Sequence, residues 1–254
     1  MPFSEETVRS YDEWLQSSTG YYVDRREKQL IADLLVPRNG ETLLDVGCKA
    51  GHHLLFFRRK GCDVTGIDSS PHMLEMARKK LGVRAGFHEG CSEDLPFSDN
   101  EFDIVTITSL GCVSDPRRAI GEALRVCKGR IFLGVCNRYS LASGQRQKHQ
   151  PFYRDIESPS SLLSIYELFT MVREVHPGEA IRWGSVISFP LGWYPFASSL
   201  EEKIPTMKNP FGSFIGMALP AIYTHITIQQ SLKEKMELAV GKDQQAPITK
   251  ERQK

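Results

Sequence analysis

Apolar positions recur along this chain in two alternating forms, short unbroken runs and stripes at helical spacing. Leu30, Ile31, Leu34 and Leu35 fall three and four apart within residues 27–36, which predicts a helix that Pro37 stops. The run at 41–47 (ETLLDVG) is short and apolar and reads as a buried strand opening into a glycine turn. Residues 51–60 predict a helix closed by Gly61. The alternation then repeats. A strand is predicted at 62–67, a helix at 71–81 with proline in its first turn, a weaker strand at 83–88 and a β-branched one at 102–108. Asp115-Pro116 opens a helix running to Cys127 with Ala119, Ile120, Ala123 and Leu124 on its apolar side, and a buried strand follows at 130–136. Strands separated by helices of this length predict parallel pairing through right-handed crossovers, hence a doubly wound α/β sheet.

After Cys136 the pattern changes. Residues 137–159 are polar and carry Arg138, Arg146, Lys148 and Arg154. Ser164 and Glu167 stand at capping-box spacing ahead of a helix reaching Val175. Two late strands are predicted at 181–189 and 211–218, joined by a connection rich in proline and aromatics. From Gln229 the tail is polar and reads as a helix that frays.

Composition changes this picture little. The chain has 254 residues, 41% of them hydrophobic and 25% charged, with a formal net charge of +1, so no bulk electrostatic signal favours nucleic acid or a membrane surface. No apolar run approaches the roughly 18 residues of a membrane span, and the early acids of MPFSEETVRSYDEW argue against a secretory signal. The six cysteines form no CxxC pair and no zinc-like spacing with histidine. A cytoplasmic, reduced and metal-free protein is the expectation.

The chemistry concentrates in the first strand-turn-helix unit. Leu43-Leu44-Asp45-Val46-Gly47-Cys48-Lys49-Ala50-Gly51 sets a carboxylate at a strand's carboxyl end just before a glycine turn, where open α/β sheets bind ligands. The next strand ends in Gly66-Ile67-Asp68, an acid about 20 residues beyond the turn, placed to accept from both hydroxyls of a ribose. A dinucleotide would require G-x-G-x-x-G under its pyrophosphate. Here Gly47 and Gly51 alone remain, and Asp45 would repel that phosphate. A nucleoside carrying a zwitterionic amino acid tolerates the acid and can use it against its ammonium.

From Leu43 to Val135 the chain resembles the class I S-adenosylmethionine-dependent methyltransferases, in particular the type 11 group. The resemblance runs in order through LLDVGCKAG, VTGIDSSPHMLEMARKKL, EGCSEDLPFSDNEFDIV and DPRRAIGEALRVCKGRIFLGV. It implies a Rossmann-like, mostly parallel seven-stranded sheet with an antiparallel last strand and helices at the N-terminus. Four regions are implied: a helical cap at 1–40, a cofactor core at 41–136, an acceptor-side region with the last two strands at 137–228, and a polar tail at 229–254. It also implies S-adenosylmethionine as cofactor, with Asp45, Gly47, Cys48, Lys49 and Gly51 at its methionine end. Asp68 would hold the ribose hydroxyls, Ser69 and Met73 flank the adenine, and Cys91, Ser92 and Glu93 meet its edge. Thr108 and Ser109 would face the reacting centre, with Tyr11, Trp14 and Tyr22 either a lid or a helix packed on the domain. The expected partner is a small-molecule methyl acceptor of undetermined identity.

Two positions depart from the family pattern. Lys49 replaces the middle glycine of the turn, which demands a shifted loop, strain if φ is positive, or a changed cofactor pose; it can also reach the cofactor carboxylate. Cys91 replaces the usual acid at the adenine edge, a loss of one hydrogen bond worth about 0.5–1.5 kcal/mol. A second reading is tRNA methylation, and these departures keep open a third, a non-catalytic nucleoside-binding protein of the same fold. Direct methyl displacement needs no dedicated base where the acceptor is intrinsically nucleophilic, so no catalytic residue is assigned; Tyr22, His149 and His176 are candidates that spacing does not separate. His52 and His53 point apart on a helix start, which disfavours a metal pair. Trp183, Phe189, Trp193, Tyr194 and Phe196 either line an acceptor pocket or pack the final strands.

Overall fold

The structure, a computed structural model, describes residues 4–140, 142–143, 162–177 and 180–221. The polar tail from Gln229, together with Arg146, Lys148, His149 and Arg154, lies outside the described residues.

Two N-terminal helices precede the sheet. In α1 (Glu5–Gln16) Ser4 caps the first turn by accepting from Thr7 N–H, and Val8, Trp14 and Leu15 are buried. Ser17 then ends α1, donating its hydroxyl to the Trp14 carbonyl, and starts α2 (Ser18–Leu35) by accepting from Gly20 N–H. Gly20 lets the helices meet, since a Cβ there would lie 2.0 Å from the Trp14 carbonyl oxygen. The helix predicted at 27–36 is thus longer, because its buried stripe begins at Val23 and its cap is Ser17.

The sheet has seven strands in the order β3-β2-β1-β4-β5-β7-β6. They are β1 (Thr42–Val46), β2 (Asp63–Asp68), β3 (Gly86–Glu89), β4 (Phe102–Ile107), β5 (Cys127–Cys136), β6 (Arg182–Val186) and β7 (Phe214–Pro220). Pairing is parallel through β5, and β7 runs antiparallel to both β5 and β6. Strand order reverses between β1 and β4, which creates the switch point where such sheets bind ligands. The connecting helices are α3 (His52–Arg59), α4 (Pro71–Leu81) and α5 (Pro116–Val126), followed by α6 (Ile165–Val175) with the expected Ser164–Glu167 capping box.

Both sheet faces are covered. Leu43 and Phe132 point to the layer of α2, α3 and α4 with Leu30, Leu54, Phe57 and Leu74, while Leu44, Ile131 and Leu133 point to the layer of α5 and α6 with Ile120, Leu168 and Val172. This is the period-two alternation of strands buried on two sides. One rung across β5, β7 and β6 holds Gly134, Gly216 and Gly184. A Cβ on Gly216 would lie 2.7 Å from the Phe132 ring, so that rung makes room for the aromatic.

Several boundaries differ from the sequence expectation. The α5 helix ends at Val126, and Cys127, assigned to that helix, is the first residue of β5. The weak strand is displaced to 86–89 by a 3-10 turn at 82–84. The strand expected to reach 189 stops at Val186, because Ile187 takes φ +69. The buried Glu201 carboxylate fixes that break by accepting from the Ile187 and Ser188 backbone N–H groups. Glu201 closes α7 (Tyr194–Glu201), a helix in the segment read as connection.

The amino edge of the sheet is closely knitted. Arg130, near the start of β5, donates to Glu41 at 2.7 and 2.9 Å and to the carbonyls of Leu35 and Val36; Arg182 donates to the carbonyls of Asp33 and Leu34. The last carbonyls of α2, orphaned by helix geometry, are satisfied this way. Asp103 accepts from both the backbone N–H and the hydroxyl of Thr42, and Arg125 from α5 holds the carbonyls of Leu95 and Phe97.

Candidate functional site at the carboxyl edge

The turn from β1 into α3 takes three left-handed residues in five: Gly47 (φ +70), Lys49 (φ +50) and Gly51 (φ +77). Gly47 and Cys48 donate to the Ile67 carbonyl, tying the turn to the end of β2. Gly51 packs directly on α4, with a Cβ there only 3.0 Å from that of Ala77. At Lys49 the strain foreseen for a side chain in a glycine position is present.

Two buried carboxylates stand beneath and beside this turn. Asp68, at the end of β2, accepts from Lys49 N–H with one oxygen and from Ser70 N–H with the other, both at 2.9 Å. Burial pushes its pKa up, against the pull of those N–H donors and the Lys49 charge. Asp45, in β1, is fully buried and accepts from the Thr106 hydroxyl at 2.7 Å through Oδ1; its Oδ2 has no hydrogen-bond partner among the described residues. Burial raises Asp45 to about 7, Thr106 and Lys49 moderate the rise, and Asp68 adds to it.

Beside these acids opens a hollow of about 310 Å³, within the range of small-ligand sites. Gly47, Lys49, Asp68 and Ser69 line one wall, and Cys91, Ser92, Glu93 and Ser109 another. Burial is the largest influence on Glu93, yet its carboxyl sits below the ordinary range because the Ser92 hydroxyl and the Ser114 and Asp115 N–H groups outweigh it. Those bonds brace the 91–93 turn against the loop before α5. Gly90, Cys112, Val113 and Ser114 complete the wall. They were not anticipated, and only the helix start at Asp115-Pro116 hinted that this loop closes there.

Other predicted residues lie elsewhere. Asp45 is below the floor, and Cys48 turns under Gly66, whose Cβ would meet its Sγ at 2.7 Å. Met73 does not flank the hollow: it is fully buried on the inner face of α4 with Leu74 and Ala77. Tyr22 does not reach the site either. Its ring packs on Tyr194 at 4.6 Å and its hydroxyl lies 3.5 Å from the Ser198 carbonyl. His176 caps the end of α6 and does not line the hollow. Of the five late aromatics, Phe189, Trp193 and Phe196 line one open recess of about 520 Å³ with Ala197 and Leu200, and Trp183 and Tyr194 lie outside it. Trp183 meets Phe169 edge-on, Tyr194 is buried on Tyr22, and Trp193 and Phe196 are exposed.

A second, much smaller chamber of about 30 Å³ adjoins the hollow under α1 and α2. Thr108 and Ser109 line it, with Tyr11, Trp14, Lys49 and His53. It has room for little more than a water molecule. Burial lowers the His53 pKa well below the usual value there, and the neighbouring cations Lys28 and Lys49 add to the effect. His52 points away, 2.8 Å from Asp12 of α1 and 2.7 Å from Lys80 of α4, which also pairs with Asp12. This cluster joins α1 to α3 and α4. Nothing in the sequence marks it, because its members are 40 and 28 residues apart.

Comparison with known proteins bears on this arrangement. Residues 43–130 match the family described as methyltransferase domain. An uncharacterized protein of Methanocaldococcus jannaschii, MJ1123, is 29% identical across 67% of this chain and 78% of its own length. The demethylmenaquinone methyltransferase of Thermotoga maritima is 31% identical across 52% of this chain, which spans 59% of that enzyme. Among solved structures, a Thermotoga maritima S-adenosylmethionine-dependent methyltransferase described as a possible histamine N-methyltransferase superposes with a TM-score of 0.67 at 23% identity, covering 86% of this chain and 97% of that one. A geranyl diphosphate methyltransferase bound to its substrate and sinefungin gives 0.55 at 19% identity, covering 78% and 77%. At these identities the structural likeness speaks for the fold.

Proposed function

We propose that the chain is a class I S-adenosylmethionine-dependent methyltransferase and that it methylates a small-molecule acceptor presented beneath its N-terminal helices. The observation that carries the proposal is the pair Asp45 and Asp68. They stand on adjacent parallel strands, in the register Asp45 opposite Gly66, with Asp68 lining the hollow and Asp45 buried below its floor. Asp45 Oδ2, buried and without a partner among the described residues, suits a ligand ammonium. Asp68 retains lone pairs for a ribose diol after accepting two backbone N–H groups.

The residues divide the work by position. Gly47 and Lys49 border the amino-acid end, and Asp68 and Ser69 border the ribose. Cys91, Ser92 and Glu93 form the wall against which a base would lie. When bound, S-adenosylmethionine supplies a methyl group on a sulfonium, already activated for direct displacement. Ser109 sits at the junction of hollow and chamber and Thr108 lines the chamber beside it, so an acceptor atom entering the chamber would be aligned there, and α1 and α2 would keep water out. Since the chamber is nearly closed, admission of an acceptor requires α1 to move from its Asp12–Lys80 contact. The proposal includes a cytoplasmic setting, where the exposed Cys91 would remain a thiol.

Calorimetry with S-adenosylhomocysteine tests the reading. Wild-type protein should bind, and Asp68→Ala should weaken binding by about 100-fold or more, the loss of two hydrogen bonds to a charged group. Wild-type protein that binds neither S-adenosylhomocysteine nor S-adenosylmethionine would sink the proposal.

A further inference from the structure

We propose that the Lys49 ammonium holds the carboxylate of the cofactor's amino-acid end, a role that a glycine at this position could not perform. The inference rests on the cofactor reading above and deepens it. Three observations support it.

The first is conformational. Lys49 keeps φ +50 between Gly47 and Gly51, in a turn where glycine would adopt the same backbone without a clash. A side chain retained in a strained conformation beside a ligand hollow points to a use for that side chain. The second is position. Lys49 and Ser109 are the two described residues that line both the hollow and the chamber, so the lysine stands at their neck. Its backbone N–H is fixed on Asp68, and its Nζ lies 5.8 Å from the centre of the Tyr11 ring. That contact directs the charge toward α1, and an ammonium has three N–H donors to share.

The third observation is charge. Among the described residues lining the hollow, Lys49 is the one lysine or arginine, set among Asp68, Glu93 and the buried Asp45. A ligand that brings an ammonium and a carboxylate into this acidic surrounding finds Asp45 for the first. Of the described residues lining the hollow, Lys49 is the one that offers a full positive charge to the second, and charge-assisted hydrogen bonds are the strong ones.

A cycle with two ligands and two proteins isolates the contact: S-adenosylmethionine and its decarboxylated analogue, each titrated calorimetrically into wild type and Lys49→Met. Wild type should prefer the carboxylate-bearing ligand by about 10- to 100-fold, the range of a hydrogen bond to a charged group. Lys49→Met should reduce the preference to within about twofold, the usual error of additivity, through weaker binding of S-adenosylmethionine. Lys49→Gly, which relieves the backbone, should lose the preference likewise and guards against misfolding of the methionine variant. An equal preference in wild type and variants would make the lysine a mere support for Tyr11. Tighter S-adenosylmethionine binding by Lys49→Gly would make it an obstruction, and either result overturns the inference. Wild type that binds neither ligand removes the cofactor reading and this inference together.

Discussion

At the amino edge of the sheet, where β1, β4 and β5 begin, the polar groups that packing buries are paired. Arg130 and Arg182 occupy the last carbonyls of α2, Asp103 clasps Thr42, and Arg125 reaches the carbonyls of Leu95 and Phe97. At the carboxyl edge of the same strands the chain accepts a left-handed lysine, a carboxylate with an orphan oxygen, and a turn whose glycines cannot be replaced freely. The contrast shows where each kind of free energy resides. Hydrogen bonds that hold the fold are placed away from the ligand, and they offset a rim kept strained and under-satisfied so that something else can complete it.

The largest test of this contrast is at Asp45. Its unfolded carboxyl loses a proton near the ordinary value of 3.8, whereas the buried one keeps it to about 7. The stability tied to the protonated form is therefore full below pH 4 and is lost as pH rises to 7, on the order of 4 kcal/mol for a shift of this size. Urea unfolding of the unliganded protein should show that loss relative to Asp45→Asn, whose profile lacks it. Asp68, raised as well, contributes with the same sign in both proteins. Parallel profiles for the two would mean that the carboxyl edge carries no such penalty.

A smaller effect is expected at the opposite edge. Arg130→Ala should cost about 2 kcal/mol in urea by leaving helix carbonyls and Glu41 without their donor, while S-adenosylhomocysteine affinity stays unchanged. An affinity loss as large as the stability loss would mean that the edges are not separable. The smallest effect is at Lys49: replacement by glycine should raise stability by about 1 kcal/mol as the φ +50 strain disappears. Thermal or urea unfolding reads this directly, and a destabilised glycine variant would locate the strain elsewhere.

What the sequence made legible was local. The run LLDVG and the acid that follows β2 place Asp45 and Asp68 because a buried strand, a glycine turn and a crossover leave few alternatives. Helix stripes placed α3 to α6 within a few residues. The errors came from side-chain direction and from distant pairing. The family resemblance implies an adenine contact at Met73, whereas Met73, Ala77 and Leu81 repeat at helical spacing and face inward. Tyr22 shares α2 with the buried Val23 but points to Tyr194, on a helix the sequence did not reveal. The Cys127 boundary was lost because an apolar cysteine fits the end of a helix stripe as well as the start of a strand. The Asp12–His52–Lys80 cluster and the small chamber depend on where α1 docks, which no short-range pattern encodes.

The position of β7 has a consequence for synthesis. In the chain it follows β6, yet in space it lies between β5 and β6 and pairs with β5 from Arg130 to Cys136. As the polypeptide leaves the ribosome, the first five strands can assemble while the outer side of β5 still presents seven residues of unpaired backbone, and β6 has no neighbour to join. Only when residues 214–220 emerge is that exposed template closed and β6 recruited in the same event. A nascent chain stalled before Phe214 should therefore need a chaperone to keep β5 from pairing with a second copy of itself.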